Sequence, residues 1–281
     1  MPVKSLDISW LSGGVSVVPH EQISEITVVE QADRILADGE TLTVRLDVSG
    51  DGHSLHIGFM KGDRFDGEKY LTVYVPQEMV KNSFLEEIDI ETTSAYAYVS
   101  ADAQKIELST LSGDARVMGA SCPEVEIETT SGNAGVVDGT WTKVDISAVS
   151  GAIELAGDAE SAEIETTSGK VDIAGALGAL DFESVSGNLI LATERALRLD
   201  AETESGSIYL TLPAQDGFTL DYETEKGSFD SALTEREGTL IACGDRETHY
   251  SVPALEGGEM SELEISTVSG TLTIKASPGG N

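Results

Sequence analysis

Asp7, Asp89, Glu107, Glu126, Asp145, Glu163, Asp181, Asp200, Asp221 and Glu264 each stand six residues before a recurring corner that reads Ser-Gly in most copies. A second acid stands four before the corner at Glu91, Glu128, Glu165, Glu183, Glu202 and Glu223, and serine takes that place in the other copies. Carboxylates in such a series can ligate a hard cation such as Ca²⁺, meet basic side chains of a partner, or keep strands from associating sideways. A calcium reading centres on Glu126, Asp145, Glu163, Asp181 and Asp200. The calcium-binding nonapeptide of β-rolls and the EF-hand loop are both absent, so any calcium binding is expected to be weak. Stacked about 4.8 Å apart, neighbouring carboxylates repel by about 0.9 kcal/mol in water, which salt partly screens.

Other chemistry finds less support. His53 and His56 have H-x-x-H spacing, but residues three apart on a strand face opposite sides, which does not suit one metal. His20 and His249 have no partner nearby in sequence. Cys122 and Cys243 form no C-x-x-C pair, and Cys122 beside Pro123 reads as a coil connection, so the redox compartment is left open. No G-x-S-x-G and no phosphate-cradling glycine loop occurs. A polysaccharide-cleaving β-helix would need basic groups to meet an anionic substrate. Here Lys143, Lys170, Arg195 and Arg198 are scattered, and that enzyme class stays a remote alternative. Outward threonine arrays can bind ice, but TTSG alternates with AVSG and SVSG. The sequence is read as that of a non-enzyme with no required cofactor.

The charge balance narrows the partners. Seventeen basic residues against 50 acidic ones give a formal charge of −33 over 281 residues. Such a chain repels nucleic acid and anionic lipid, so neither nucleic-acid binding nor membrane insertion is expected. A basic protein surface, or some other protein or glycan surface, remains open. No apolar run approaches the ~18 residues of a membrane span, and MPVKSLDISW lacks the apolar stretch of a signal peptide.

The elements that must position the acids emerge from the repeat. Corner glycines fall at Gly113, Gly132, Gly151, Gly169, Gly187, Gly206, Gly227 and Gly270; Ala95 takes the place one repeat earlier, and Gly13 begins the pattern. Separations from Gly113 onward are 19, 19, 18, 18, 19, 21 and 43 residues. Apolar or small residues stand seven and five before the corner and two and four after it, as in Ile106, Leu108, Ala115 and Val117. This period-two pattern marks half-buried strands on both sides of a turn. A unit of that size cannot bury its apolar face alone, but it can when stacked on similar units. The expected fold is therefore all-β: a single-chain parallel β-solenoid of 18–21-residue coils. The crossover rule favours a right-handed coil without settling it.

Residues 1–86 read as an N-terminal coil plus hairpins, with strand-like runs TLTVRLDV, SLHIGF and YLTVYVP. Residues 87–281 read as the repetitive solenoid, interrupted by an irregular detour at 228–260. Both irregular segments are candidates for end caps, as is Trp10, which breaks the small-residue rule three before the corner.

LDISWLSGGVSV, YLTVYVP, the IETTS and AVSG corners and the closing EISTVSGTLTIKA together resemble a bacterial putative-adhesin family, a domain of unknown function. The resemblance covers nearly the whole chain. It implies a β-solenoid and a cell-envelope or membrane-linked setting, and it brings no catalytic residues. The expected function is a non-enzymatic adhesin-like binding or scaffold module presenting an acidic face at the envelope. A cytoplasmic or membrane-proximal scaffold in a stress-response or regulatory system is the alternative.

Overall fold

The structure, a computed structural model, describes residues 3–32, 46–50, 53–59, 68–82, 85–231, 239–243 and 246–277. These form two compact units, Met1–Thr140 and Trp141–Asn281. Both are built of β-strands, and no described helix is long and apolar enough to cross a membrane.

In chain order the strands are β1 Ser5–Trp10, β2 Gly13–His20, β3 Thr27–Ala32, β4 Leu46–Gly50, β5 Ser54–Phe59 and β6 Lys69–Pro76. The short helix α1 Gln77–Lys81 follows, then β7 Glu87–Thr92, β8 Tyr96–Val99, β9 Lys105–Thr110, β10 Ala115–Met118, β11 Cys122–Thr129 and β12 Ala134–Ser150. In the first unit one parallel sheet runs β5-β1-β7-β9-β11 in space. A second runs β6-β2-β8-β10 and onto Ala134–Val137 of β12. Each coil thus places one strand in each sheet. The inward residues on both sides, such as Ile106, Leu108, Ala115 and Val117, are fully buried. β4 pairs antiparallel with β5 and β3 with β6, so each sheet changes from parallel to antiparallel pairing there. SLHIGF and YLTVYVP therefore do more than form hairpins: they add a parallel coil beside the first repeat copy. Residues 41–45 of TLTVRLDV lie outside the described residues.

The second unit continues with β13 Ile153–Ser168, β14 Lys170–Gly175, β15 Leu177–Ser184, β16 Asn188–Thr193, β17 Arg198–Thr203, β18 Ile208–Leu212, β19 Gly217–Thr224 and β20 Ser228–Ser231. β21 Thr239–Cys243, β22 Glu247–Val252, β23 Met260–Thr267 and β24 Thr271–Ala276 complete it. Its first sheet runs β13-β15-β17-β23-β19, and its second runs β13-β14-β16-β18-β24-β20, because β13 bends from one to the other. The last copy in sequence is not the last in space. β23 and β24 slot between the coil of Gly206 and that of Gly227. β22 then pairs antiparallel with β19, and β21 with β22, so the 228–260 detour supplies antiparallel strands at this edge.

The corner is held by three small groups. In most copies threonine or serine three before the glycine accepts a hydrogen bond from the glycine N–H, as Thr110 does for Gly113 at 2.9 Å and Thr203 for Gly206 at 3.0 Å. Serine one before it donates to the carbonyl of the preceding coil: Ser112 to Thr93 at 3.2 Å, Ser205 to Val185 at 3.3 Å. The glycine lets the coils close up, since a Cβ on Gly132 would sit 1.7 Å from the Gly113 carbonyl oxygen. In the first copy Trp10 replaces the threonine and is buried, its indole donating to the Lys69 carbonyl at 3.0 Å. The sequence reading missed a second corner, six residues after the first, where Gly119, Asp138, Gly157 and Gly175 all take positive φ.

Candidate functional site

The acids six before the corner lie on strands of the first sheet, between two inward residues, and point outward. Parallel register brings them side by side. In the first unit the column runs His56, Asp7, Asp89, Glu107, Glu126. In the second, Glu163, Asp181, Asp200, Glu264, Asp221 and His249 stand in register, and Asp145 joins through Lys143.

Cations engage particular acids along each column. Lys105 lies 2.9 Å from Glu107 and 3.1 Å from Glu126. Hydrogen bonds to those two carboxylates push its ammonium above the usual lysine range. Lys143 bridges Asp145 at 3.3 Å and Glu163 at 3.5 Å, and its pKa is likewise raised, chiefly by the bond to Asp145. His56 meets Asp7 at 2.7 Å. His249 pairs with Asp221, whose hydrogen bond raises the imidazole pKa. The partner of His249, absent from its neighbourhood in sequence, arrives through antiparallel pairing of β22 with β19.

The middle of each column carries the electrostatic load. Burial pushes the Asp89 carboxyl up to about 6, reinforced by Glu107, Asp7, Glu91 and Glu87. Asp181 is raised by burial and by the charges of Asp200 and Glu163. Beside Asp181 the surface dips into a shallow depression of about 280 Å³. Ser161 and Ala179 are short side chains in its lining; Lys143 and Arg198 line it too, with Glu163, Asp181 and Asp200.

Of the five calcium candidates, Glu126 is engaged by Lys105, and Asp145 and Glu163 by Lys143, while Asp181 and Asp200 share the depression. Among the described residues no three His, Cys, Asp or Glu side chains converge as a metal site. His53 and His56 do not act together, since His56 turns to Asp7. Cys122 is buried at the start of β11, donates to the Glu124 carbonyl and has its thiol pushed up to about 11 by burial. Lys170 pairs with Asp172 at 2.7 Å, and Arg195 donates to the Ala159 carbonyl at 2.8 Å. The sequence reading missed Lys105, and it named His56 and His249 without placing them beside Asp7 and Asp221. Position was the available signal for the lysines: Lys105 and Lys143 both stand eight before a corner.

Two solved structures align along nearly the whole chain. A "putative lipid binding protein" from Parabacteroides distasonis aligns with a TM-score of 0.55 at 13% identity, covering 98% of this chain and 94% of that one. A "putative cell adhesion protein" from Clostridium sporogenes covers the same shares at 10% identity, with a TM-score of 0.27. No match is found among the curated proteins. The profile of the Toastrack DUF4097 family matches residues 21–275. The parallel coils, the stacked corners and that match agree: the chain belongs to the Toastrack DUF4097 family, whose function is unknown.

Proposed function

We propose that the chain is a non-enzymatic, adhesin-like binding module of the bacterial cell envelope whose outward acidic column receives a basic partner surface. The observation that carries this reading is the uneven neutralisation of the column. Lys105, Lys143, His56 and His249 each engage particular acids, while Asp89 and Asp181 are pushed toward protonation by burial and by like charges. A cationic surface laid along the column would relieve that repulsion, so binding gains free energy there beyond ordinary surface pairing. The envelope setting comes from the resemblance in the sequence.

Calorimetric titration of a dodecamer of lysine into the full chain, at low and at physiological salt, tests the reading. A triple variant Glu163→Gln, Asp181→Asn, Asp200→Asn should lose roughly tenfold in affinity. An equal change of net charge away from the column, Glu21→Gln, Glu25→Gln, Glu78→Gln, should cost far less. Equal losses would reduce the effect to overall charge and end the proposal.

A further inference from the structure

The side chain two before the corner follows the last inward residue of each first-sheet strand: Val149 and Thr167 lie inside their strands, and in the later coils the position falls in the bend just past the strand end, beside the face that carries the acids. In the second unit this position runs, coil by coil, Val149, Thr167, Val185, Glu204, Val268, Glu225. Backbone bonds fix the order: the Ser186 N–H donates to the Thr167 carbonyl, Ser205 to Val185, Ser269 to Glu204 and Lys226 to Val268. The Ser168 hydroxyl reaches the Val149 carbonyl at 3.5 Å. Val149, Val185 and Val268 are 50%, 46% and 43% exposed, whereas inward Ile164 and Phe182 are fully buried. In the first unit Leu11 and Leu111, 52% and 55% exposed, alternate with Thr93 in the same way. Single exposed aliphatics need no explanation; a row on alternate coils, beside a line of carboxylates, does.

We propose that this row is the apolar line of a docking strip whose occupant is a cationic amphipathic helix of a partner protein. The inference rests on the reading of the acidic face given above and names the partner's chemistry. Glu165, Glu183 and Glu202 stand two residues from the row on the same face, about 7 Å away. An occupant must therefore carry apolar and basic side chains side by side. A second copy of this chain would bring its own glutamates against these, and an anionic lipid surface would be repelled as well. The spacing favours a helix. Alternate coils lie about 9.6 Å apart, close to the ~10.5 Å advance of seven helical residues and unlike the ~6.8 Å apolar repeat of a strand. From Val149 to Val268 the row spans roughly 19 Å, the length of about 13 helical residues.

The test uses the full chain and two synthetic probes of equal charge: a 14-residue peptide with leucines at heptad spacing among lysines, and one in which serines replace the leucines. Fluorescence anisotropy gives each affinity. Val149→Ser, Val185→Ser, Val268→Ser should weaken the leucine peptide about tenfold and leave the serine peptide unchanged. A circular dichroism spectrum and thermal midpoint matching the parent show that the variant is folded. Glu165→Gln, Glu183→Gln, Glu202→Gln should weaken both peptides. If the valine variant binds the leucine peptide as tightly as the parent does, the apolar strip is overturned while the acidic face stands. If neither peptide binds the parent chain, both readings fall. Valine-dependent self-association in sedimentation, or valine-dependent binding to neutral phosphatidylcholine vesicles without peptide binding, would assign the row to another occupant and overturn the helix.

Discussion

Asp89 sits between Asp7 and Glu107, and burial and those charges push its carboxyl up to about 6 from an ordinary 3.8. The fold therefore favours the neutral acid. Ionising Asp89 costs folding free energy above pH 6, and that cost fades as the pH falls through 6 toward 3.8. Asp89→Asn should thus raise the thermal midpoint at pH 7.5 by a few degrees, and the gap from the parent should narrow at pH 4.5. A gap that is constant across that range, or a lower midpoint at pH 7.5, would show that Asp89 is not held under repulsion. The outward placement of Asp89 was legible in the sequence, because alternation with Ile88 and Ile90 fixes its face. Its perturbation was not. That depends on which coil lies on either side, and on Lys105 reaching Glu107 and Glu126 rather than Asp89.

At the scale of the strand and corner, coil spacing rests on backbone contact. A Cβ on Gly206 would lie 1.8 Å from the Gly187 carbonyl oxygen and 2.8 Å from the Thr203 hydroxyl. Neither neighbour can swing aside, since one is backbone and the other holds the Gly206 N–H at 3.0 Å. Gly206→Ala should therefore cost roughly 2–4 kcal/mol in denaturant unfolding, through strain and the broken corner bond. At Gly58 a Cβ would meet nothing within 4 Å, so Gly58→Ala should be close to neutral. Similar costs at both sites would remove the close-packed corner from the account. The Ser-Gly corner announced itself because it repeats by identity. The second corner did not, because Gly119, Asp138, Gly157 and Gly175 are followed in the next coil by Thr193, so no single residue type marks it.

At the scale of the whole molecule, the period-two pattern together with the near-fixed repeat was enough to specify parallel coils and an all-β chain, but not their spatial order. Parallel strands of near-identical pattern accept one another in several sequences: Ala201 fits between Phe182 and Ile265 as readily as a neighbouring copy in the chain would. Only the structure shows that the closing strands slot inside the Gly227 coil and that antiparallel strands finish the sheet edges. The same rearrangement delivers His249 to Asp221. A formal charge of −33 spread over such a chain would attract any cation weakly. The central claim is narrower: one outward face, carrying carboxylates and alternating valines, is where a basic partner binds. Photo-crosslinking the leucine–lysine peptide to the full chain, with the attachment points mapped by mass spectrometry, tests it most directly. The account predicts crosslinks on the outward residues of the first-sheet strands and the bends that follow them, at Val149, Glu165, Asp181, Val185 and Glu202. Crosslinks concentrated on the outward residues of the second sheet, such as Glu154, Asp172 and Tyr209, or spread evenly over the acidic surface, would contradict it.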